Sequence, residues 1–136
     1  MAEETAFFDT NVLLYLLSED HAKADKAEEL LAAGGTISVQ VLNEFASVAS
    51  RKLAMKWPEI RECLEPLRLT LQIVPITIDA YDQALQIAER YGLSFYDALI
   101  VSAARLSACK ILYSEDLQHG QIFDKSLAVR NPFKVG

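Results

Sequence analysis

The sequence predicts an α/β fold: a mostly parallel sheet of four or five short strands, covered by helices on both faces. Three observations carry that prediction. Short β-branched and aromatic runs alternate along the chain with longer segments whose apolar residues recur at helical spacing. Within the short runs the apolar residues are continuous, as in strands buried on both faces. Gly34-Gly35, Pro58 and Gly92 punctuate the chain where helices should stop or start.

Taken in order, Thr5 to Phe8 is too brief for a helix nucleus and suits a buried first strand. From Asn11 to Leu17 the apolar residues run on without alternation, so a short helix follows. Ser18 to Ala33 sets Ala22, Ala24, Ala27, Leu30 and Leu31 near helical spacing among charges, an exposed amphipathic helix stopped by Gly34-Gly35. Thr36 to Val39 reads as the second strand. Gln40 to about Met55 reads as a long helix with Val41, Leu42, Phe45, Val48, Ala49 and Leu53 on one face. Trp57-Pro58 restarts a helix with proline at its first position, and Pro66 bends or ends it. A third strand covers Leu71 to Ile76, and a helix from Asp79 to about Tyr91 stops at Gly92. Ser94 opens a helix from Phe95 to Ser107, apolar nearly all round and therefore central. Lys110 to Tyr113 makes the fourth strand and Leu127 to Val129 a short fifth before Pro132. With no repeat or linker, residues 1–136 read as one domain.

Composition narrows the function. A chain of 136 residues with 51% hydrophobic and 24% charged side chains can bury a substantial core and is too apolar for disorder. A net charge of -6 and a pI near 4.9 argue against binding nucleic acid through a broad basic face, because phosphate neutralisation dominates such binding. The acidic start, Met1-Ala2-Glu3-Glu4-Thr5, lacks the basic character of a secretory or transit peptide. The longest unbroken apolar run, Val12 to Leu17, is far short of a membrane span, so a cytoplasmic location without a membrane partner is expected. Cys63 and Cys109 have no Cys-x-x-Cys spacing and no histidine to complete a zinc set, and read as inert core thiols.

Four acids stand inside apolar runs. They are Asp9 in Phe7-Phe8-Asp9-Thr10-Asn11, Glu44 in Val41-Leu42-Asn43-Glu44-Phe45, Asp97 in Phe95-Tyr96-Asp97-Ala98-Leu99, and Asp116 in Leu112-Tyr113-Ser114-Glu115-Asp116-Leu117. A carboxylate drawn toward a core finds a partner, protonates or binds a cation. In open parallel sheets, ligands gather beyond the carboxyl ends of the strands, near the point where strand order reverses. Asp9 lies at the end of the first strand, Asp116 just beyond the fourth, Asp97 in the first turn of the helix feeding the fourth, and Glu44 on the helix leaving the second. At least two of the four therefore open onto one edge.

Each acid also has a structural explanation. Asp9 can cap the helix that starts at Asn11, Ser94 and Asp97 fit a capping box, Glu44 can belong to a polar stripe, and Ser114-Glu115-Asp116 can be an ordinary turn. Jointly they are harder to explain as caps. Two carboxylates about 5 Å apart at an effective dielectric of about 20 repel by roughly 3 kcal/mol, and these segments carry no lysine or arginine to offset it. An all-oxygen donor set suits Mg²⁺ or Mn²⁺.

The runs Phe8-Asp9-Thr10-Asn11-Val12-Leu13, Asn43-Glu44-Phe45, Leu93-Ser94-Phe95-Tyr96-Asp97-Ala98-Leu99-Ile100 and Tyr113-Ser114-Glu115-Asp116-Leu117-Gln118-His119-Gly120 resemble PIN-domain nucleases, especially the toxins of VapBC toxin–antitoxin pairs. The resemblance spans about Phe7 to Phe133. It implies a three-layer α/β/α domain in which Asp9, Glu44, Asp97 and Asp116 form the acidic metal site, with Thr10, Asn11 and Ser114 supporting. It further implies Mg²⁺- or Mn²⁺-dependent hydrolysis of RNA, a homodimer, and inhibition by a small cognate antitoxin. A response-regulator receiver would need paired acids after the first strand and a lysine after the last, and a haloacid-dehalogenase phosphatase an Asp-x-Asp where position 11 is Asn. An alternative of another class is a catalytically silent interaction module whose acids are caps.

The remaining conspicuous residues read as structural. Arg51, Lys52, Lys56, Arg61 and Arg68 are interleaved with Glu59, Glu62 and Glu65 and fit a solvated face better than a basic strip for RNA. His119 fits a loop histidine satisfied by backbone, His21 an exposed helix, and Asp124 is not expected as a ligand. Leu13, Leu14 and Leu17, like Leu99, Ile100 and Ala103, suit core or dimer contact, and packing is the default for Tyr96 and Trp57.

Overall fold

A computed structural model describes residues 5–134; the acidic start at residues 1–4 lies outside the described residues. Six strands form one sheet: β1 (Ala6–Phe8), β2 (Thr36–Ser38), β3 (Gln72–Val74), β4 (Ile111–Tyr113), β5 (Ile122–Phe123) and β6 (Leu127–Arg130), in the order β3-β2-β1-β4-β6-β5. All pairs are parallel except β5 with β6. The chain steps outward from β1 to β2 and β3, then returns to lay β4 on the other side of β1, with Phe7 opposite Leu112. Strand order therefore reverses between β1 and β4, and the crevice beyond their carboxyl ends is where a sheet of this type takes a ligand.

Successive strand residues face opposite sides of a sheet. Phe7 and Phe8 are both buried, as are Ile111 and Leu112, so helices cover both faces as expected. Those helices are α1 (Thr10–Leu14), which tightens into a 3₁₀ turn at Tyr15–Leu17, α2 (His21–Ala32), α3 (Val39–Lys52), α4 (Trp57–Thr70), α5 (Ile78–Tyr91) and α6 (Phe95–Leu106). Helix α6 is the central one, with every residue from Ala98 to Ala104 buried. Its start is fixed by Ser94, whose Oγ accepts the Asp97 N–H at 3.2 Å. Helix α5 ends at Gly92, whose φ of +67° supplies the left-handed cap.

The structure corrects the expected architecture in four places. The sheet has six strands, because the two-residue β5 is too short to show any period in sequence. Helix α4 runs through Pro66 to Thr70, with Ile60 and Leu67 holding its inner face to the core and the Thr70 hydroxyl donating to the Pro66 carbonyl at 2.9 Å. Helix α3 stops at Lys52, leaving Leu53 exposed and Ala54 at a φ of +53°. Helix α2 begins only at His21, because Asp20 Oδ1 accepts the Lys23 N–H at 3.2 Å. Gly35 does more than end α2: a Cβ there would stand 2.6 Å from Phe8 Cε2 and 2.8 Å from the Ala6 carbonyl, so a residue without a side chain lets the chain enter β2 against β1. No helix among the described residues is long and apolar enough to cross a membrane.

Candidate active site

Strand β1 delivers Asp9 to the crevice at the switch point. Pairing with β4 continues onto the acid itself, whose N–H donates to the Tyr113 carbonyl at 2.9 Å. Asp9 then turns the chain into α1 as its N-cap, Oδ1 accepting the Thr10 N–H at 2.7 Å. On the far side Ser114, fully buried at the end of β4, donates its Oγ hydrogen to Asp9 Oδ2 at 2.8 Å. The same Oγ accepts the N–H groups of Asp116 and Leu117, each at 3.2 Å, and so shapes the turn that carries Asp116. Asn11 works from the first turn of α1: Nδ2 donates to Asp9 Oδ2 at 3.4 Å and Oδ1 accepts the Glu115 N–H at 3.1 Å.

Thr10 links the first acid to the second. Its Oγ1 donates to Glu44 Oε1 at 2.8 Å, tying the first turn of α1 to α3. Each of the three residues read from sequence as supporting thus holds an acid or the loop that bears one. Asp97, in the first turn of α6, is half-buried, and its backbone N–H takes the cap from Ser94, so the capping reading holds for its backbone. Asp116 is exposed.

Asp9 is only 5% exposed. Its pKa is raised from 3.8 to about 6: burial pushes it up most, hydrogen bonds from Ser114 and Thr10 pull it down, and the charges of Asp116 and Asp97 add to the rise. Those last two contributions tie Asp97 and Asp116 electrostatically to Asp9, while Thr10, hydrogen-bonded to both acids, links Glu44 to it. Among the described residues ion pairs form at Glu115, with Lys23, and at Asp124, with Arg90 and Arg105, and none at the four acids. Their donor set is all oxygen and short of cationic partners, which fits the chemistry of a hard divalent cation. As the side chains stand, however, no three His, Cys, Asp or Glu residues among those described converge closely enough to hold an ion.

Two other acids have different work. Tyr15 donates to Glu115 Oε1 at 2.7 Å and Lys23 lies 3.6 Å from Oε2, closing the start of α2 over the β4 turn. Asp124 is held by Arg90 at 3.0 Å, Arg105 at 2.7 Å and the Tyr91 hydroxyl at 2.9 Å, so its charge is already matched by two guanidinium groups. His119 accepts the Asn131 N–H on Nδ1 at 3.0 Å, a loop histidine satisfied by backbone. Cys109 is buried, and burial raises its thiol pKa. Packing was the expectation for Tyr96 and Trp57, and the structure overturns it: they are 66% and 64% exposed. Tyr96 lies in the first turn of α6 with the Phe95 ring in T-shaped contact, and Trp57 opens α4.

One residue of the site escaped the sequence reading. Gln40, in the first turn of α3, is 4% exposed, and its Nε2 reaches Glu44 Oε1 at 3.4 Å and the Tyr96 carbonyl at 3.1 Å. Its signal was available, since Val39-Gln40-Val41 places an uncharged amide in an apolar run just as the four acids are placed.

The PIN domain family profile matches residues 6–122. No curated protein matches the chain at a significant level. Among solved structures, a toxin–antitoxin complex from Klebsiella pneumoniae is similar with a TM-score of 0.72 at 23% identity, covering 96% of this chain and 100% of that one. VapC20 of Mycobacterium tuberculosis, a toxin that cleaves the sarcin-ricin loop, is similar with a TM-score of 0.67 at 22% identity, over 82% of this chain and 90% of its own. FitAcB from Neisseria gonorrhoeae is similar with a TM-score of 0.70 at 21% identity, over 96% and 100% of the two chains.

Proposed function

The chain belongs to the PIN domain family, and on that premise we propose that it is a Mg²⁺- or Mn²⁺-dependent endoribonuclease, the toxin of a type II toxin–antitoxin pair. The single observation that carries this reading is Asp9. A carboxylate buried at the switch point of a parallel sheet, with two further acids raising its pKa and no cation paired to it, is costly unless an ion offsets it.

Asp9, Glu44, Asp97 and Asp116 are the proposed ligands. An ion bound there would lower the pKa of a coordinated water and offset the charge that develops on a scissile phosphate. Ser114 and the Thr10 N–H together hold both oxygens of Asp9, and Thr10 Oγ1 holds one oxygen of Glu44, leaving Oε2 for the ion. Such fixed orientation is what keeps a ligand set in place through turnover. An RNA phosphate can then approach an acidic protein because the ion supplies the positive charge.

The toxin assignment draws on the similar structures, of which one is a toxin–antitoxin complex and another a toxin that cleaves the sarcin-ricin loop. A cognate VapB-like antitoxin is the proposed protein partner. A groove of about 360 Å³, lined by Leu14, Leu17, Val48 and Leu53, runs beside Asn11 and Glu115 and could seat an amphipathic segment next to the acids. Ile78, Tyr81 and Leu85 form an exposed stripe along α5, with Ile78 77% exposed, and are the proposed contact of a homodimer. Residues 1–136 are proposed to act as one domain in the cytoplasm, where RNA targets are found.

One observation favours a second reading. The acids do not converge in the structure, as would hold for a silent PIN-like interaction module. The decisive experiment incubates purified protein, freed of antitoxin, with structured RNAs with and without Mg²⁺ or Mn²⁺, beside Asp9→Asn and Glu44→Gln. Metal-dependent cleavage lost in both variants is expected. Cleavage without metal, or retained in both variants, would sink the mechanism.

A further inference from the structure

We infer that Gln40 is a positioning residue that locks Glu44 against the first turn of α6 and so sets the spacing of Glu44 from Asp97 across the site. Gln40 and Glu44 are one helical turn apart on α3, and the Gln40 Nε2 touches both the Glu44 carboxylate and the Tyr96 carbonyl, one residue before Asp97. The amide orientation is forced. Both neighbours are acceptors, so the NH₂ group faces them and the carbonyl Oε1 points away.

That orientation leaves Oε1 buried with no partner among the described residues, as is Ser38 Oγ two residues earlier at the end of β2. A buried, half-satisfied amide weakens a fold relative to an apolar side chain of the same size. Stability therefore does not account for glutamine at position 40, between the buried Val41 and the core strand β2. Its placement makes sense as a clamp. Thr10 Oγ1 and Gln40 Nε2 converge on the same oxygen, Glu44 Oε1, from α1 and α3, which restrains the rotation of the carboxylate and leaves Oε2 outside both bonds.

Gln40's role, which rests on the metal-nuclease reading above, predicts a split that a purely structural residue would not show. In Gln40→Met, length and apolar packing are kept and both donors are lost. Its metal-free melting temperature should equal or exceed that of the wild type, while Mn²⁺ binding by isothermal calorimetry weakens about tenfold. Gln40→Leu, of different shape, is measured alongside so that misfolding of one variant does not decide the outcome. Unchanged Mn²⁺ affinity in a folded variant overturns the proposal, and so does a lowered metal-free melting temperature in both variants. Glu44→Gln serves as the reference: if wild type binds no Mn²⁺, or Glu44→Gln binds it equally well, the metal reading itself fails. If Glu44→Gln loses binding and Gln40→Met does not, only the clamp is wrong.

Discussion

Ser114 and Asp9, 105 residues apart in sequence, meet at 2.8 Å where the carboxyl ends of β4 and β1 lie side by side. The Ser114 hydroxyl gives its hydrogen to the acid and accepts two backbone N–H groups from the turn behind it. Removing it should do two things at once. Ser114→Ala orphans the N–H groups of Asp116 and Leu117, with Leu117 and Ser114 both buried, and should cost about 1–3 kcal/mol in urea unfolding with an unchanged m-value. It also removes a donor that lowers the Asp9 pKa, so half-maximal Mn²⁺ binding should move to higher pH. A variant as stable as wild type, with the same pH midpoint for metal, would show that the bond is incidental.

Asp9 gives metal-free stability a distinctive pH dependence. Its folded pKa of about 6 lies above the ordinary 3.8, so folding favours the protonated form. The stability it contributes is therefore fully present below about pH 4 and is lost as pH rises through about 6, a penalty of roughly 2–3 kcal/mol at pH 7. In EDTA, wild type should lose stability relative to Asp9→Asn between pH 4 and 7. Parallel profiles for the two proteins would remove the buried charge from consideration.

Added metal should reverse that penalty. An ion that binds only the folded state stabilises it by about 2.7 kcal/mol at a hundredfold excess over its dissociation constant. Thermal unfolding with Mn²⁺ should show the rise in wild type and little of it in Asp9→Asn, Glu44→Gln or Asp97→Asn. The Asp97 variant is the most informative of the three, because the Ser94 cap on its backbone N–H survives the substitution.

Asp124 should separate stability from metal binding. It joins α5 and α6 to the β5–β6 hairpin through Arg90, Arg105 and Tyr91, and the Arg105 pair is the better shielded of the two ion pairs. Asp124→Asn should cost about 1–2 kcal/mol and leave Mn²⁺ affinity unchanged. Loss of metal affinity in a folded Asp124→Asn would place it in the site after all.

The proposed homodimer contact is tested on α5. Ile78, Tyr81 and Leu85 recur at helical spacing on its exposed side. Tyr81→Glu with Leu85→Glu should convert a dimer to a monomer in light scattering behind gel filtration. A wild type that is monomeric at micromolar concentration, or a dimer that survives both charges, rules out this face.

What could be read in the sequence was whatever depends on neighbours along the chain. The apolar runs of β1, β2 and β4 and the stops at Gly35 and Gly92 are local, and the helices fell within a few residues of their observed ends. The two-residue β5 was invisible because its only support is pairing with β6. Pro66 misled because a local rule about a missing N–H was outweighed by Ile60 and Leu67 packing on either side of it. At the site, the acids announced themselves by charge in apolar company. Gln40 did not, since an amide raises no electrostatic alarm and its importance lies in the two acceptors that the fold brings to it from residues 44 and 96.

The β1–β4 pairing sets an order of events during synthesis. Asp9 is made before its supports: the strand that flanks it and the serine that orients it follow more than a hundred residues later. Contacts of such long sequence separation form late. A nascent or prematurely terminated chain therefore carries three of the four acids without the frame that assembles them. The four acids share a frame only once β4 and Ser114 have been made and have paired with β1.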